Sequence, residues 1–367
     1  MSNSYLFDPA DFRIPSGITH VCAGGQTPFL HRHDQAMQRH AELKSGGMAG
    51  RDRMDAETER VRGLLARLWG VGHGEIGFVG NVAEGVSMVA EAVDWRPGDS
   101  IAVDGLEYPS VVGPFARRRD VELRLARGTK PDRLAACVDP STRLIAASYV
   151  SYLTGERADL AALRRLADTV GALLLVDFTQ ASGCLPIEAS IADFAFSACY
   201  KWMLGETGVA IAYWNRARQP SWQPVSAGWY SFAPGARGWE PPPALREDAL
   251  RFTRGNPAHG AVFILGSALD YLGGFVLSAV EQHVLGLSGA LLERLQALQI
   301  PTMTPRDPAH HAANVCVPSD RAGEIALGMG ERGVWVWNGQ GRVRVSFHGY
   351  NSMVDVDRVV DALRAVW

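Results

Sequence analysis

Short apolar runs alternate with helix-patterned segments along the first two thirds of the chain. The run EIGFVG (75–80) is followed by a segment in which valines recur at helical spacing, at positions 82, 86, 89 and 93. The run LLLVDF (173–178) is apolar up to its charged end, as expected of a central strand that is covered on both faces. This alternation of strand and helix patterns predicts an α/β fold with a largely parallel sheet.

The same patterns predict further strands at 99–104, 141–150, 193–198 and 208–214. Residues 159–172 carry an apolar stripe that ends at Gly171 and predict a helix. Beyond residue 215 a Trp-, Pro- and Gly-rich segment without periodicity predicts a long ordered loop, which in compact domains is often functional. A helical pattern follows over 260–298. The remainder predicts a compact α+β unit whose terminal helix starts at Asn351 or Ser352.

Composition narrows the class of protein. Of the 367 residues 47% are hydrophobic and 20% charged, the ordinary balance of a globular protein. The formal net charge is −3 without a basic block, so we expect neither a nucleic-acid partner nor an anionic membrane. No signal-peptide pattern or membrane-spanning run is present. Five scattered cysteines without a C-x-x-C pair predict a reducing, cytoplasmic location, no disulfide framework and no structural metal site.

Polar residues stand at the ends of several predicted strands, where ligands of open α/β sheets bind. These residues are Asn81, Tyr108, Tyr152, Asp177, Gln180 and Lys201. Asp177 ends the most hydrophobic strand, and a lone carboxylate there is costly unless a cation or a hydrogen-bond donor meets it.

Lys201 is unusual for its place in the chain. The sequence has 33 arginines and only three lysines, yet this lysine lies among Tyr200, Trp202 and Met203. Unlike arginine, a lysine can lose its proton and form a Schiff base with an aldehyde, and burial would lower its pKa from ~10.4. An aldehyde cofactor with a carboxylate opposite its ring nitrogen is pyridoxal 5'-phosphate, and Asp177 is the predicted carboxylate.

The predicted strand ends and helix starts also suggest residues for the phosphate and the ring of the cofactor. The phosphate could lie at the helix start at Val82 and Ala83, where free backbone N–H groups meet the positive end of the helix dipole. Tyr108 could stack on the ring. Taken singly, a strand-end aspartate more often forms a turn and a lysine among apolar residues more often extends to solvent. The combination of Asp-x-x-Gln with a following Tyr-Lys favours the cofactor site.

These residues resemble the class V aminotransferase group of fold-type I pyridoxal-phosphate enzymes. Three segments carry the resemblance: LLLVDFTQASG, SACYKWMLGETGVAIAY and RVRVSFHGYNSMVDVDRVVDAL. The resemblance implies a large pyridoxal-phosphate domain over 20–257 with a mostly parallel seven-stranded sheet. It also implies a smaller α+β domain from 1–19 and 258–367.

The resemblance also assigns roles to individual residues. By it, Lys201 and Asp177 are catalytic, and Arg344 grips the substrate α-carboxylate, for which guanidinium geometry is suited. The implied cofactor-binding residues are Val82, Ala83, Tyr108, Tyr152, Asp177, Gln180, Tyr200, Lys201, Trp229 and Asn256. Trp229 and Asn256 would complete the phosphate site partly across a dimer interface, which implies a homodimer.

Some details are closer to kynureninase-like members than to cysteine desulfurases. Tyr200 stands where desulfurases usually carry a histidine, while Gln180 replaces the histidine of kynureninases and Ala83 a frequent phosphate-binding threonine. A desulfurase needs a nucleophilic cysteine on a mobile loop, but the region before Arg344 has none and Cys316 lies in a strand pattern. Desulfurase activity is therefore not expected.

The predicted function is a pyridoxal-phosphate enzyme acting on an α-amino acid, with transamination as the default reaction. The alternative is a kynureninase-like hydrolase or a C–C or C–S β-lyase on the same scaffold. A non-catalytic binding protein is less favoured because Lys201, Asp177 and Arg344 are all retained. A Rossmann-type nucleotide binder is less favoured because no G-x-G-x-x-G joins a strand to a helix.

Overall fold

The computed structural model describes residues 4–128, 130–235 and 238–367, and these ranges contain twelve strands and ten α-helices. The strands are β1 (Thr19–His20), β2 (Ile76–Val79), β3 (Ser100–Asp104), β4 (Glu122–Ala126), β5 (Thr142–Ser148), β6 (Leu173–Asp177), β7 (Phe194–Ala198), β8 (Ala210–Trp214), β9 (Asn314–Pro318), β10 (Val334–Trp335), β11 (Trp337–Gly339) and β12 (Arg342–Ser346). The helices are α1 (His33–Lys44), α2 (Gly47–Trp69), α3 (Val82–Ala92), α4 (Pro109–Ala116), α5 (Pro131–Ala135), α6 (Leu160–Val170), α7 (His259–Leu272), α8 (Leu277–Ala297), α9 (Ala322–Glu331) and α10 (Met353–Val366).

Seven strands form the central sheet in the order β2-β8-β7-β6-β5-β3-β4. All neighbours pair in parallel except at β8, which is antiparallel to both β2 and β7. The predicted α/β fold with a mostly parallel seven-stranded sheet is therefore confirmed. The pattern did not reveal β4, because this edge strand is largely exposed and carries charged residues.

Helices cover both faces of the central sheet. On one face, α2, α6 and α7 pack against the sheet, and on the other face α3 and α4 do so. Leu174 and Val176 of β6 belong to the first core and Leu175 to the second, because successive side chains of a strand point to opposite faces. This explains the unbroken apolar run of β6. Its polar end, Asp177, emerges at the carboxyl edge of the sheet.

The C-terminal part builds a second layer around an antiparallel sheet in the order β11-β12-β9. Helices α8, α9 and α10 bury their apolar sides in its core, and β1 pairs in parallel with β10 in a separate two-stranded sheet. Helix α10 begins as predicted: the Ser352 side chain accepts a hydrogen bond from the Val354 N–H, and the Asp355 carboxylate accepts one from the Ser352 N–H.

The proposed domain division at residues 257 and 258 remains a prediction, and residues 1–3 lie outside the described ranges. The helix that follows this position, α7, packs on α2, and its Val262, Leu265 and Leu269 belong to the core of the large sheet. This packing favours a division nearer to α8.

The helical region predicted over 260–298 is two helices, because the chain bends by 86° between α7 and α8. Among the described residues no single helix is long and apolar enough to cross a membrane. The bent pair meets that criterion by length and composition only.

Gly85 allows α3 to approach the sheet closely. A Cβ atom at this position would lie 2.3 Å from Cε1 of Phe196 on β7. The contact is between a helix and a core strand, so it fixes where the first turn of α3 lies relative to the carboxyl edge of the sheet.

We predict that Gly85→Ala lowers the free energy of unfolding by about 1–3 kcal/mol, because the added methyl overpacks the core. Gly113→Ala in α4 is the matched control, since a Cβ there meets nothing within 4 Å. It should be neutral or stabilising by up to ~1 kcal/mol, as helical Gly→Ala substitutions are. Urea denaturation measures both, and equal effects would contradict the packing argument.

Candidate active site

Lys201 lies in the loop after β7 and is 6% exposed. Its Nζ atom is 5.5 Å from the ring centroid of Tyr108 and 5.5 Å from that of Tyr200. Burial lowers the pKa of Lys201 to about 8; the positive charge of Arg344 acts in the same direction and the charge of Asp177 opposes it. A residue of the N-terminal segment contacts this loop: the Thr27 hydroxyl donates a hydrogen bond to the Lys201 carbonyl at 3.0 Å.

Asp177 lies at the end of β6 and is 4% exposed. Burial raises its pKa, while hydrogen bonds from Thr179 act in the other direction; the Thr179 N–H donates to Oδ1 at 2.7 Å. Lys201 and Asp177 interact electrostatically, yet no ion pair within 4.0 Å among the described residues includes either one. The buried amine and the buried carboxylate do not neutralise each other directly. Their arrangement suits a ligand whose aromatic ring carries an aldehyde, which reacts with the amine, and a basic nitrogen, which pairs with the carboxylate.

A third aromatic residue, Tyr152, belongs to this cluster. Tyr108 precedes α4, and its ring meets the ring of Tyr152 edge-on, with centroids 4.9 Å apart. The backbone oxygen of Tyr152 accepts a hydrogen bond from Nη1 of Arg344 at 3.1 Å. The structure thus brings together six of the predicted site residues: Lys201, Asp177, Tyr108, Tyr152, Tyr200 and Arg344.

The predicted phosphate site lies at the start of α3, directly after β2. Val82 is buried, Ala83 is half-buried, and their N–H groups have no intrahelical acceptor because they belong to the first turn. The Asn81 side chain accepts from the Glu84 N–H at 2.9 Å, and the Glu84 carboxylate accepts from the Gly80 N–H at 2.8 Å. This helix start already holds one anionic group, which is consistent with a preference for negative charge.

Gln180 forms hydrogen bonds with three separate parts of the chain. Its Nε2 donates to the Gly24 carbonyl at 2.9 Å, and its Oε1 accepts from Trp202 Nε1 at 3.2 Å and from Asn314 Nδ2 at 3.0 Å. These bonds connect the N-terminal segment, the lysine loop and β9. A direct contact between Gln180 and the cofactor remains a prediction, whereas its contact with the lysine loop is present.

Arg344 on β12 is 3% exposed, and its guanidinium lies 4.7 Å from the ring centroid of Trp337. Burial lowers its pKa to about 10. Arg342, two residues earlier on the same strand face, is fully buried and donates from Nη2 to the same Tyr152 carbonyl at 2.9 Å. Neither arginine forms an ion pair with a described carboxylate. Two buried guanidinium groups without a counterion indicate a site for an anion.

Sequence reasoning missed Arg342 and Glu107. The RVR motif contained a signal for Arg342, because alternate residues of a strand share a face. Glu107 is 8% exposed and accepts hydrogen bonds from the Tyr108 N–H and from Ser148. Glu107 lies in a turn, where nothing in the sequence distinguishes a buried carboxylate from an exposed one.

Trp229 and Asn256 lie at a cavity whose lining does not include Lys201. Trp229 is 60% exposed, and Asn256 Oδ1 accepts from Arg51 Nη2 at 2.6 Å. Both line a surface cavity of about 830 Å³ together with Met48 and Arg51. Their place is consistent with the expectation that they act on the site of a second subunit.

The five cysteines are free thiols, and those near the site are poorly suited to act as nucleophiles. Burial raises the pKa of Cys22 to about 12, and its Sγ donates to the Trp335 carbonyl at 2.9 Å. Cys316 on β9 is fully buried, and burial raises its pKa too. Within the described residues no group of three or more His, Cys, Asp or Glu side chains could hold a metal ion.

We predict that apo protein reacts with pyridoxal phosphate at a rate that rises with pH around a midpoint near 8, because the neutral amine of Lys201 is the reacting form. Arg344→Gln should move the midpoint upward, since it removes a positive charge that lowers this pKa. Asp177→Asn should move it downward. Absorbance of the product follows the reaction, and exposed Lys130→Ala is the control that should change nothing. Shifts of the same sign in both charge variants would contradict this electrostatic assignment.

Comparison with known proteins identifies the family of the chain. The family model for Aminotransferase class-V matches residues 32–359. A probable cysteine desulfurase of Methanothermobacter thermautotrophicus is 25% identical over 348 residues, which cover 86% of this chain and 84% of the relative. The structure of a cysteine desulfurase from Thermococcus onnurineus superposes with a TM-score of 0.88 at 21% identity over 97% of this chain and 96% of that one.

A complex of the cystine C–S lyase C-DES with cysteine persulfide superposes with a TM-score of 0.85 at 22% identity, over 95% of this chain and 97% of that chain. At these identities the two structures establish the fold, and the family model establishes the family. The predicted cofactor is confirmed with it, because the family is one of pyridoxal-phosphate enzymes. This chain belongs to the class-V aminotransferase family and is a pyridoxal-phosphate-dependent enzyme of fold type I.

Proposed function

We propose that the protein is a C–S β-lyase that acts on an α-amino acid with a sulfur-bearing side chain. The observation that carries this proposal is the site itself: a buried lysine with a lowered pKa lies near Arg344, while the neighbouring thiols are buried with raised pKa values. The sequence alone made transamination the default. The lyase alternative has more support, because several relatives that cover most of the chain are described as cysteine desulfurases.

Several residues would hold the cofactor. Asp177 would face its ring nitrogen, Tyr108 and Tyr152 its ring, and Tyr200 with the first-turn amides of α3 its phosphate. When bound, pyridoxal phosphate supplies an aldehyde that captures the substrate amine and a ring that stabilises negative charge at Cα.

The chain's own residues account for the remaining steps. Arg344 binds the substrate α-carboxylate, and the adjacent positive charge of Arg342 strengthens the electrostatic attraction for that carboxylate. Lys201 Nζ takes the proton from Cα as general base. The Cβ–S bond then breaks and its electron pair leaves with the sulfur. Hydrolysis of the remaining fragment yields pyruvate and ammonia.

The two thiols near Arg344, Cys22 and Cys316, are poor nucleophiles, and this bears on which sulfur compounds can be substrates. Cysteine desulfuration needs an enzyme thiolate that attacks the substrate sulfur, and a thiol with a pKa near 12 supplies almost none at neutral pH. A disulfide or S-substituted cysteine needs no such attack, since its sulfur departs as a persulfide or thiolate. We therefore propose cystine-like substrates rather than free cysteine.

We predict that the cofactor-loaded protein releases pyruvate from cystine or an S-substituted cysteine. Cys22→Ser and Cys316→Ser should keep the rate within about twofold, because neither thiol reacts. Lys201→Ala should abolish turnover. Pyruvate is measured with a coupled dehydrogenase.

Three outcomes would contradict the lyase proposal. Formation of alanine from free cysteine, lost when a cysteine side chain of the enzyme is replaced by serine, indicates a desulfurase. Conversion of the cofactor to its pyridoxamine form indicates transamination. Cleavage of kynurenine indicates the hydrolase branch.

We also propose that the protein acts as a cytoplasmic homodimer in which Trp229 and Asn256 complete the phosphate site of the second subunit. Support comes from the exposed position of both residues around one cavity, whose lining does not include Lys201 of the same chain. The cytoplasmic location rests on the scattered cysteines, all of them free.

Hybrid dimers test the shared site. We predict that Lys201→Ala and Asn256→Ala subunits, each inactive or weak alone, recover activity when unfolded together and refolded as a mixture. In a mixed dimer one site then holds an intact Lys201 from one chain and an intact Asn256 from the other. Sedimentation checks the dimer, and mixing two Lys201→Ala preparations is the control. A mixture that shows only the activity of its components would contradict a shared site.

A further inference from the structure

Glu107 is a buried carboxylate for which the steps described above have no use. It lies in the turn between β3 and α4, and no ion pair among the described residues includes it. Its Oε1 accepts from the Ser148 hydroxyl at 2.7 Å and from the Tyr108 N–H at 2.6 Å, and its Oε2 accepts from the Ser148 N–H at 2.7 Å. An ionised carboxylate, which only accepts, satisfies all three donors.

These bonds tie the turn that carries Tyr108 to the end of a core strand. Ser148 is the last residue of β5, and it pairs across the sheet with Asp177. The Tyr108 ring in turn lies 5.5 Å from Lys201 Nζ and 4.9 Å from the Tyr152 ring. The carboxylate is therefore bonded to the backbone of the residue whose ring lies beside the lysine.

The position of this carboxylate is costly. Burial raises the pKa of Glu107 to about 7, and the nearby charge of Asp177 acts in the same direction. A turn can be closed by a neutral Ser or Asn side chain without placing a second carboxylate beside Asp177. A costly group that makes three good hydrogen bonds at the edge of a site points to a task in that site.

We propose that Glu107 is a positioning residue that fixes the Tyr108 ring against the cofactor, so that its effect on the cofactor passes through Tyr108. The inference rests on the proposed function in one point, namely that the Tyr108 ring stacks on the cofactor ring. It assigns no step of the reaction to Glu107.

A double-mutant cycle on cofactor affinity tests this route. Apo protein is titrated with pyridoxal phosphate, and binding is followed by absorbance without any substrate. Glu107→Gln keeps the side-chain size but turns an N–H₂ group toward a donor, so we expect about tenfold weaker binding. Tyr108→Ala should weaken binding by at least about tenfold through the lost ring contact. If Glu107 acts through Tyr108, the double variant binds within twofold of Tyr108→Ala alone.

Ser148→Ala is a milder second variant, because it removes one of the three hydrogen bonds and keeps the carboxylate. It should weaken cofactor binding about threefold, and this effect too should vanish in the Tyr108→Ala background. Effects of Glu107→Gln and Tyr108→Ala that multiply would overturn the proposal. Glu122→Gln on the exposed edge strand is the control for a neutral change elsewhere.

The pH dependence provides a signature that a purely structural role would not produce. As pH falls through about 7, Glu107 gains a proton and loses one acceptor, so wild-type cofactor affinity should fall in a step that Glu107→Gln lacks. The other groups that face this region are Asp177 at the end of β6, Lys201 after β7, and Tyr108 and Tyr200. Both proteins retain these groups, and only the wild type has the additional carboxylate of Glu107.

The outcomes separate this inference from the proposed function. A wild-type protein that binds no pyridoxal phosphate would refute the site and this inference together. A wild-type protein that binds it and lacks β-lyase activity would refute only the proposed reaction, since the cycle needs no turnover. If Glu107→Gln does not unfold cooperatively as apo protein, the Ser148→Ala and Tyr108→Ala cycle decides whether the effect passes through Tyr108.

Discussion

The burial of one lysine amine is the constraint on which the rest of the site depends. An amine enclosed by the rings of Tyr108 and Tyr200 loses the hydration that favours its charged form, so it is available as a nucleophile and a base near neutral pH. The same burial would be costly if nothing compensated it. Asp177 favours the charged form and Arg344 the neutral one, so the reactivity of Lys201 is set by two residues from different parts of the chain.

The two layers of the molecule meet at this amine through a few polar contacts. The Tyr152 carbonyl accepts from both Arg342 and Arg344, which belong to the C-terminal sheet. Gln180 connects the lysine loop to β9, and the ring nitrogen Nε2 of His348 lies 2.8 Å from the Trp202 carbonyl in the same loop. A displacement of the C-terminal layer would therefore change the surroundings of Lys201 and of the two buried arginines together.

The core strands and the central pair of residues could be predicted from sequence because their signals are local. The run that ends at Asp177 is apolar on both faces, and Lys201 stands out in a chain that otherwise uses arginine. β4 could not be found, because an exposed edge strand lacks the apolar pattern. The bend between α7 and α8 was also missed, since both helices carry the same periodicity across a short break. Glu107 and Arg342 could not be assigned because their burial depends on partners far away in sequence, namely Ser148 and Tyr152.

By itself, the sequence determined the fold class and the cofactor, and it predicted the cofactor's lysine and aspartate, because apolar periodicity and the chemistry of an imine are properties of short segments. The tertiary structure decided which thiols are buried, which arginines lack an ion-pair partner among the described residues, and that Trp229 and Asn256 line one surface cavity. Those properties depend on burial and on distances between segments that are far apart in sequence. A residue's type alone cannot encode them, because the pKa and reactivity of a side chain are set by its surroundings.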